Sequence, residues 1–265
     1  MAERLYFWLF GENLLALSGF SLVVLSLAYE AGFRFARRHA RRRPDRQGVG
    51  TITASMMGLL SFTLGLTIGY AQDRAEARRG LIVQEANAIG TAWLRANLVG
   101  GDQGIAIAKL IEQLANVELA FTVARSVEPE AGLIAQVGTV QNRIWGLTQT
   151  VVRHGPSPVT TAMMIAINEM FDTEQAERFA FDSRVPPTLS WMLLCGSLLA
   201  IGAMGYQFGL GGVRHTLLVS LLLVMWTGAM VLIADLNRPR LGAIRVDSAP
   251  LVWTIEGFAA PSSEP

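Results

Sequence analysis

The chain alternates between long apolar stretches and long charged ones. Four predominantly apolar stretches, at about residues 11–33, 51–72, 188–208 and 214–236, are each long enough for a membrane-spanning helix. An α-helix rises about 1.5 Å per residue, so roughly 20 apolar residues cross a hydrocarbon core of about 30 Å. The pattern therefore predicts a polytopic membrane protein with four transmembrane helices. The overall composition, 51% hydrophobic, agrees with that class.

The second span is predicted to continue beyond the membrane as the same helix. Residues Thr51–Ala71 are apolar and uncharged, whereas residues 73–98 carry charges but contain no proline and no turn cluster. We therefore expect one helix over residues 50–98, whose second half stands in water as a stalk. Such a helix would connect the membrane to the water-facing part of the chain.

Residues 73–187 have the pattern of a helical bundle. Apolar residues recur at the i, i+3, i+4 spacing of amphipathic helices over residues 105–125 and 134–151. Ser157-Pro158 is predicted to open a further helix, with proline in its first turn. No segment shows the period-two alternation of strands. The sequence thus predicts an all-α fold, with an extramembrane bundle at residues 73–187 inserted between transmembrane helices 2 and 3.

Positive charge is concentrated in the loop between the first two spans. Its arginines are Arg34, Arg37, Arg38, Arg41, Arg42, Arg43 and Arg46. Short loops rich in arginine stay in the cytoplasm, which places both termini and the bundle on the other side. Five of these residues, Arg37, Arg38, Arg41, Arg42 and Arg43, could also contact anionic lipid head groups, and the two roles are compatible.

The second span has two sets of residues that favour different roles, helix packing and pore lining. Ser61, Gly65 and Gly69 fall four residues apart, a spacing that lets helices approach closely in lipid. The alternative is a pore lining, since the threonines of this span offer uncharged hydroxyls. These threonines are Thr53, Thr63 and Thr67. A packing face would suit a homo-oligomer.

Common catalytic and nucleic-acid-binding signatures are absent. The sole lysine, Lys109, follows Ala108 and belongs to no phosphate-binding loop, and there is no Gly-x-Ser-x-Gly elbow. The three histidines are too scattered for a local metal motif, and the net charge of +1 indicates no basic surface for nucleic acid. We therefore expect a protein that is not an enzyme, with no cofactor, no metal and no nucleic-acid partner.

Several charged residues are candidates for an ion pathway or for a structural polar cluster. Glu85 lies on an apolar face of the stalk, where a carboxylate needs a cation or several donors, and Arg178 or an arginine of the tail could supply one. Arg74 and Arg78 follow the second span and could either snorkel to phosphates or attract anions to a vestibule. After the fourth span, Asp235 is expected to pair with Arg238, in a short polar tail.

Sequence motifs in five places resemble a known family. They are Tyr29-Glu30-Ala31-Gly32, Arg78-Arg79, the run Glu85-Ala86-Asn87-Ala88-Ile89-Gly90-Thr91-Ala92, Asn168-Glu169-Met170-Phe171-Asp172, and Leu236-Asn237-Arg238-Pro239-Arg240-Leu241-Gly242. Together they resemble the bacterial bestrophin-like membrane proteins of the DUF4239 type, as a single domain over residues 1–265. Asn87 is a candidate site residue through this resemblance. Asn237 departs from the pattern, since the family usually has Asp there.

The resemblance implies a multi-pass protein of the bacterial inner membrane and, by analogy with bestrophins, an oligomeric anion channel or transporter. The alternative is a membrane-anchored interaction or sensing module without transport activity. Bestrophins keep their helical domain in the cytosol, whereas the arginine-rich loop places this bundle outside. We follow the charge rule.

A reporter fusion tests this topology. A phosphatase that folds only outside the cytoplasm, fused after Pro187, should be active. The reason is that the Arg34–Arg46 loop stays in the cytoplasm, and the second span then carries the chain to the other side. The same phosphatase fused after Gly212 should be inactive. A fluorescent reporter that matures only in the cytoplasm and is bright after Pro187 would contradict the assignment.

Overall fold

The computed structural model describes residues 14–39, 46–124, 131–239 and 242–259. Regular secondary structure in these ranges is entirely α-helical. The helices are α1 (Leu14–His39), α2 (Arg46–Val99), α3 (Gly101–Val123), α4 (Ala131–His154), α5 (Pro158–Asp182), α6 (Pro187–Gly211), α7 (Thr216–Leu236) and α8 (Ala249–Ala259). The predicted all-α fold is confirmed.

Four candidate membrane spans are also confirmed. They lie in α1, in α2, in the segment that comprises α5 and α6, and in α7. The uncharged stretch of the third segment is in α6. The second of these, α2, is a single helix of 54 residues, as the unbroken pattern after the second span predicts.

The helices belong to two compact units. Unit 1 comprises Met1–Asp73 and Arg184–Asn237, and unit 2 comprises Arg74–Ser183 and Arg238–Pro265. Unit 1 therefore contains the apolar stretches, and unit 2 contains most of the predicted bundle together with the C-terminal segment. Each unit has its own apolar core.

In unit 1, α1 and α6 approach each other so closely that only glycine fits between them. A Cβ atom added at Gly32 would overlap the carbonyl oxygen of Gly202, and one added at Gly205 would overlap that of Tyr29. Both contacts would be closer than those that real Cβ atoms make. A Cβ atom at Gly209 would lie 2.7 Å from the Cβ of Ala36. Small residues of this kind let backbones approach in lipid, where dispersion contacts hold helices together.

Two hydrogen bonds join separate segments of unit 1. Trp226 Nε1 on α7 donates to Ser197 Oγ on α6 at 2.8 Å, and both side chains are buried. Asn237 Oδ1 accepts a hydrogen bond from the backbone N–H of Val185 at 2.7 Å. This bond fixes the end of α7 to the residues just before α6.

The two faces of the second span differ in their surroundings. The hydroxyls of Thr53, Thr63 and Thr67 each donate to the carbonyl four residues earlier in α2, at 2.8–2.9 Å, and Thr53 and Thr67 are buried within unit 1. In contrast, a Cβ atom added at Gly65 or Gly69 would meet nothing within 4 Å. The threonine face is therefore used inside the chain, and the small-residue face is open.

Unit 2 begins with a sharp reversal between α2 and α3. Gly100 and Gly101 both have positive φ, 64° and 63°, which side chains rarely adopt. On the other side of the unit, Ser157 caps α5 by accepting a hydrogen bond from the backbone N–H of Thr160, with Pro158 in the first turn. The predicted start of this helix is confirmed.

The C-terminal segment differs from the short polar tail that we expected. Residues Ala249–Ala259 form α8, and Leu251 is completely buried in the core of unit 2. The ring of Phe258 stacks on Trp93 of α2 with centroids 4.9 Å apart. The apolar positions Leu251, Ile255 and Phe258 have the spacing of a helical face. The preceding Arg-Pro pair and Gly residue are typical of a tail without helix, so this helix was not predicted.

The tight α1–α6 contact can be tested with one methyl group. Gly205→Ala should lower the melting temperature of the detergent-solubilised protein, by the equivalent of about 1–3 kcal/mol, because the new Cβ overlaps a backbone carbonyl that cannot rotate away. The matched control is Gly228→Ala on α7, where a Cβ meets nothing within 4 Å. Equal melting temperatures for the two variants would contradict the close approach.

Candidate functional site

The most unusual feature of unit 2 is a cluster of four buried glutamates. Glu85 comes from α2, Glu118 from α3, and Glu174 and Glu177 from α5, and their exposed fractions are 1%, 2%, 4% and 1%. Carboxylates are seldom buried to this extent unless they are paired with cations or bind a metal. We call this group the carboxylate cluster.

Each glutamate occupies a core position in an otherwise apolar stripe. Glu85 lies between Ile82 and Ile89, both fully buried, on the inward face of α2. Glu118 and the α5 glutamates take the same kind of place on their helices. Their buried stripe neighbours are Leu114 and Phe121 on α3, and Met170 and Phe181 on α5. The amphipathic pattern that folds the unit therefore also drives the carboxylates inward.

Three of the four carboxylates converge on one point. Oxygen atoms of Glu85, Glu118 and Glu177 all lie within 4.8 Å of one another. Like charges at such separations repel strongly in a buried environment. The arrangement is thus stable only if protons or a cation reduce the negative charge.

Glu174 differs from the other three because it has partners in the chain. It forms an ion pair with Arg178 one turn later on α5, and its Oε2 accepts a hydrogen bond from Gln141 Nε2 at 3.3 Å. The guanidinium carbon of Arg178 also lies 5.7 Å from the ring centroid of Phe121. Arg178 is therefore held at the side of the cluster on which Glu174 lies.

Glu85 has no such support. Neither of its oxygens accepts a hydrogen bond from an N–H or hydroxyl group of the residues that the structure describes, and the same is true of Glu118 Oε1. The side chain closest to pairing with Glu85 is Glu177, and two carboxyl groups hydrogen-bond only when one carries a proton. An unsatisfied buried acceptor costs about 1–3 kcal/mol, and more when it is charged.

The pKa values of Glu85, Glu118 and Glu174 are raised from that of an ordinary glutamate. Burial raises the pKa of Glu85 well above its ordinary value, and the carboxyls of Glu177, Glu118 and Glu174 raise it further. Burial also raises the pKa of Glu118 to about 8, with contributions from Glu174 and Glu177 and a smaller opposing one from Arg178. The pKa of Glu174 is raised by burial, against the opposing effects of Arg178 and Gln141.

The comparisons with known proteins place the chain in a family. A family model, the bestrophin-like domain, matches residues 19–251. The chain belongs to the bestrophin-like family. The bestrophin-like match covers all four glutamates of the carboxylate cluster. No curated protein and no solved structure matches the chain.

Among the site residues predicted from sequence, Glu85 and Arg178 lie at the carboxylate cluster of this bestrophin-like domain. Arg178 forms its ion pair with Glu174. It is therefore not the cation that we expected for Glu85. Asn87, two residues after Glu85, is exposed on the opposite face of α2.

The two arginines after the second span have different environments. Arg78 is 2% exposed, and its Nη1 donates to the carbonyl oxygen of Ser183 at 3.4 Å within unit 2. Burial lowers the pKa of Arg78, and the neighbouring Arg74, which is half-buried, lowers it further. Arg78 is therefore buried within unit 2, and its expected contact with phosphates or with anions stays a prediction.

The remaining predicted residues lie away from the cluster or outside the described ranges. Asp235 and Arg238 are buried, the first in unit 1 and the second in unit 2. Arg37 and Arg38 are exposed in the last turn of α1. Arg41, Arg42 and Arg43 lie outside the residues that the structure describes, so their expected lipid contact stays a prediction.

Sequence reasoning missed Glu118, Glu174, Glu177 and Gln141. A signal was present for the three glutamates, since each interrupts an apolar i, i+3, i+4 stripe. Such a position marks a glutamate as buried, but it does not show that glutamates of different helices meet.

The raised pKa of Glu118 predicts how stability depends on pH. The Glu118 carboxyl keeps its proton up to about pH 8 in the folded state but only up to about pH 4.5 in the unfolded state. This difference stabilises the folded state fully below about pH 4.5, and the stabilisation is lost as the pH rises to about 8. In metal-free buffer, Glu118→Gln should therefore be more stable than the unmodified protein at pH 8, by about 1–3 kcal/mol, and equally stable at pH 4.5.

Thermal unfolding in detergent between pH 4.5 and 8 measures this difference. The control is Glu169→Gln, an exposed glutamate on α5, which should follow the unmodified protein at every pH. A Glu118→Gln protein that is destabilised throughout the range would show that the ionised carboxylate is a required structural partner.

Proposed function

We propose that this bestrophin-like protein is a membrane-anchored sensing module, in which unit 2 responds to protons or cations and unit 1 holds it at the membrane. The observation that supports this proposal is the carboxylate cluster, whose buried Glu85 oxygens lack a donor from the chain. A core of this kind changes stability when its charge changes, because protonation or cation binding removes a repulsion that the folded state otherwise bears.

The location of the cluster supports a sensing role. Glu85 lies 13 residues beyond the end of the predicted span at residue 72, in the part of α2 that belongs to unit 2. Its partners come from α3 and α5, which also belong to unit 2. We infer that this unit is extramembrane, where the composition of the surrounding water can act on it.

A second candidate is the oligomeric anion channel or transporter that the likeness to bestrophins suggests. The family match favours it. The polar groups described above favour it less, since the threonine hydroxyls of the second span are bonded to their own helix and Arg78 is buried. A cluster of carboxylates would also repel an anion that passed near it.

The proposed setting follows the charge pattern of the sequence. We propose a multi-pass protein of the bacterial inner membrane, with unit 2 on the non-cytoplasmic side and the Arg34–Arg46 loop in contact with anionic lipid head groups on the cytoplasmic side. The open face of Gly65 and Gly69 supports a homo-oligomer. A sensing role requires no catalytic chemistry.

Two measurements on the same preparation separate the candidates. Reconstituted protein should pass halide at the rate of protein-free liposomes, whereas hydrogen exchange in peptides of α3 and α5 should be slower at pH 5 than at pH 8, after correction for intrinsic exchange, because protonation stabilises the cluster. In Glu118→Gln this pH effect should shrink, and in Glu169→Gln it should stay.

Halide flux clearly above the protein-free rate would favour the channel. Exchange in α3 and α5 that does not change with pH or with added cations would remove the basis of the sensing proposal.

A further inference from the structure

The carboxylate cluster has the geometry of a metal site. The oxygens of Glu85, Glu118 and Glu177 lie within 4.8 Å of one another. This proximity lets one ion contact all three side chains. The site is buried, and Mg²⁺ gives up its bound waters reluctantly and is seldom held by protein oxygens alone, whereas Ca²⁺ is readily held by them. Burial of the three ligands therefore favours Ca²⁺ over Mg²⁺.

A second observation points to a ligand rather than to an acidic patch. Glu85 is 1% exposed and faces the other carboxylates from the inward side of α2, yet neither oxygen accepts a hydrogen bond from an N–H or hydroxyl group in the described part of the chain. Bulk solvent does not reach a carboxylate at this depth. A cation bound between the three side chains would satisfy it directly.

The donor set and the charge indicate the class of ion. All three side chains offer carboxylate oxygens, which bind hard cations such as Ca²⁺, Mg²⁺ and Mn²⁺ in preference to soft ones. Three ionised carboxylates carry more charge than a monovalent ion can offset, and a divalent ion leaves a small negative remainder next to the Arg178 guanidinium. Glu174 is already paired with Arg178 and Gln141, so it borders the site rather than belonging to it.

We propose that Glu85, Glu118 and Glu177 together bind one divalent metal cation, with Ca²⁺ preferred over Mg²⁺. The three ligands come from α2, α3 and α5, so the ion would join three helices of unit 2 that share one apolar core. Metal binding would then stabilise the unit, because the ion binds only where the three side chains are held together. The proposal rests on the proposed sensing function and names its ligand.

The test uses the full chain in detergent, stripped with chelator and dialysed into metal-free buffer at pH 7.5. CaCl₂, MnCl₂ and MgCl₂ are titrated separately while thermal unfolding is followed, with NaCl at matched ionic strength as the blank. Ca²⁺ should raise the melting temperature in a saturable way, more than Mg²⁺ and far more than NaCl. Equilibrium dialysis with Ca²⁺ should give about one tight ion per chain.

Variants locate the ion. Glu85→Gln and Glu177→Gln should weaken the apparent Ca²⁺ affinity roughly tenfold or more, since each removes a charged ligand and keeps the shape of the side chain. Glu169→Gln, on the exposed side of α5, should bind Ca²⁺ as the unmodified protein does. If a ligand variant does not fold, dialysis of the unmodified protein at pH 5 and 7.5 replaces it, and Ca²⁺ binding should weaken at pH 5 as protons compete.

Four outcomes overturn the proposal. Saturable Ca²⁺ binding that is equally tight in both ligand variants would place the ion elsewhere. Ca²⁺ binding that does not weaken at pH 5 would show that the three glutamate carboxylates are not its ligands. A melting temperature that depends on pH but on none of the three metals would contradict the metal site and leave proton sensing as the proposed function. A melting temperature that depends neither on pH nor on a metal would contradict both the metal site and the proposed function.

Discussion

Repulsion among buried carboxylates is the constraint on which unit 2 depends. Apolar stripes on α2, α3 and α5 bring the helices together, and the same packing forces Glu85, Glu118 and Glu177 into one small volume. Hydrophobic burial favours the assembly, while desolvation and like charge oppose it. The balance is set by how many protons or cations the cluster holds, which makes the folded state of this unit a function of its surroundings.

Unit 1 is held by a different kind of interaction. Its closest packing, between α1 and α6, uses missing side chains at Gly32, Gly205 and Gly209, and its buried polar contacts are paired within the unit, as in Trp226 with Ser197. Dispersion contacts of this sort depend little on pH or on dissolved ions. The two units of one chain thus differ in what can perturb them, as an anchor and a sensor would.

Much of the secondary structure could be predicted from sequence because it depends on local pattern. The four apolar stretches, the uninterrupted α2 and the Ser157-Pro158 helix start each need information from one segment only. The carboxylate cluster could not be predicted in the same way. Periodicity assigns Glu85 and Glu118 to the inward faces of their helices, but how far one helix is shifted along another decides whether two inward carboxylates meet.

The C-terminal helix was missed for a related reason. Its apolar face is short, and a segment of 11 residues has little helical stability of its own, so only its contacts in unit 2 decide its conformation. Leu251 and Phe258 pack into a core whose other buried members lie in residues 82–181, and Phe258 contacts Trp93 there.

Unit 2 is therefore discontinuous along the chain, and this has a consequence for biogenesis. Residues 74–183 leave the ribosome well before residues 249–259, and the two apolar helices α6 and α7 lie between them. The core around Trp93 stays open during that interval, with part of its apolar surface uncovered. A chain in which only one of α6 and α7 inserted would have its last helix on the wrong side of the bilayer, so completion of this core requires that both helices have been integrated.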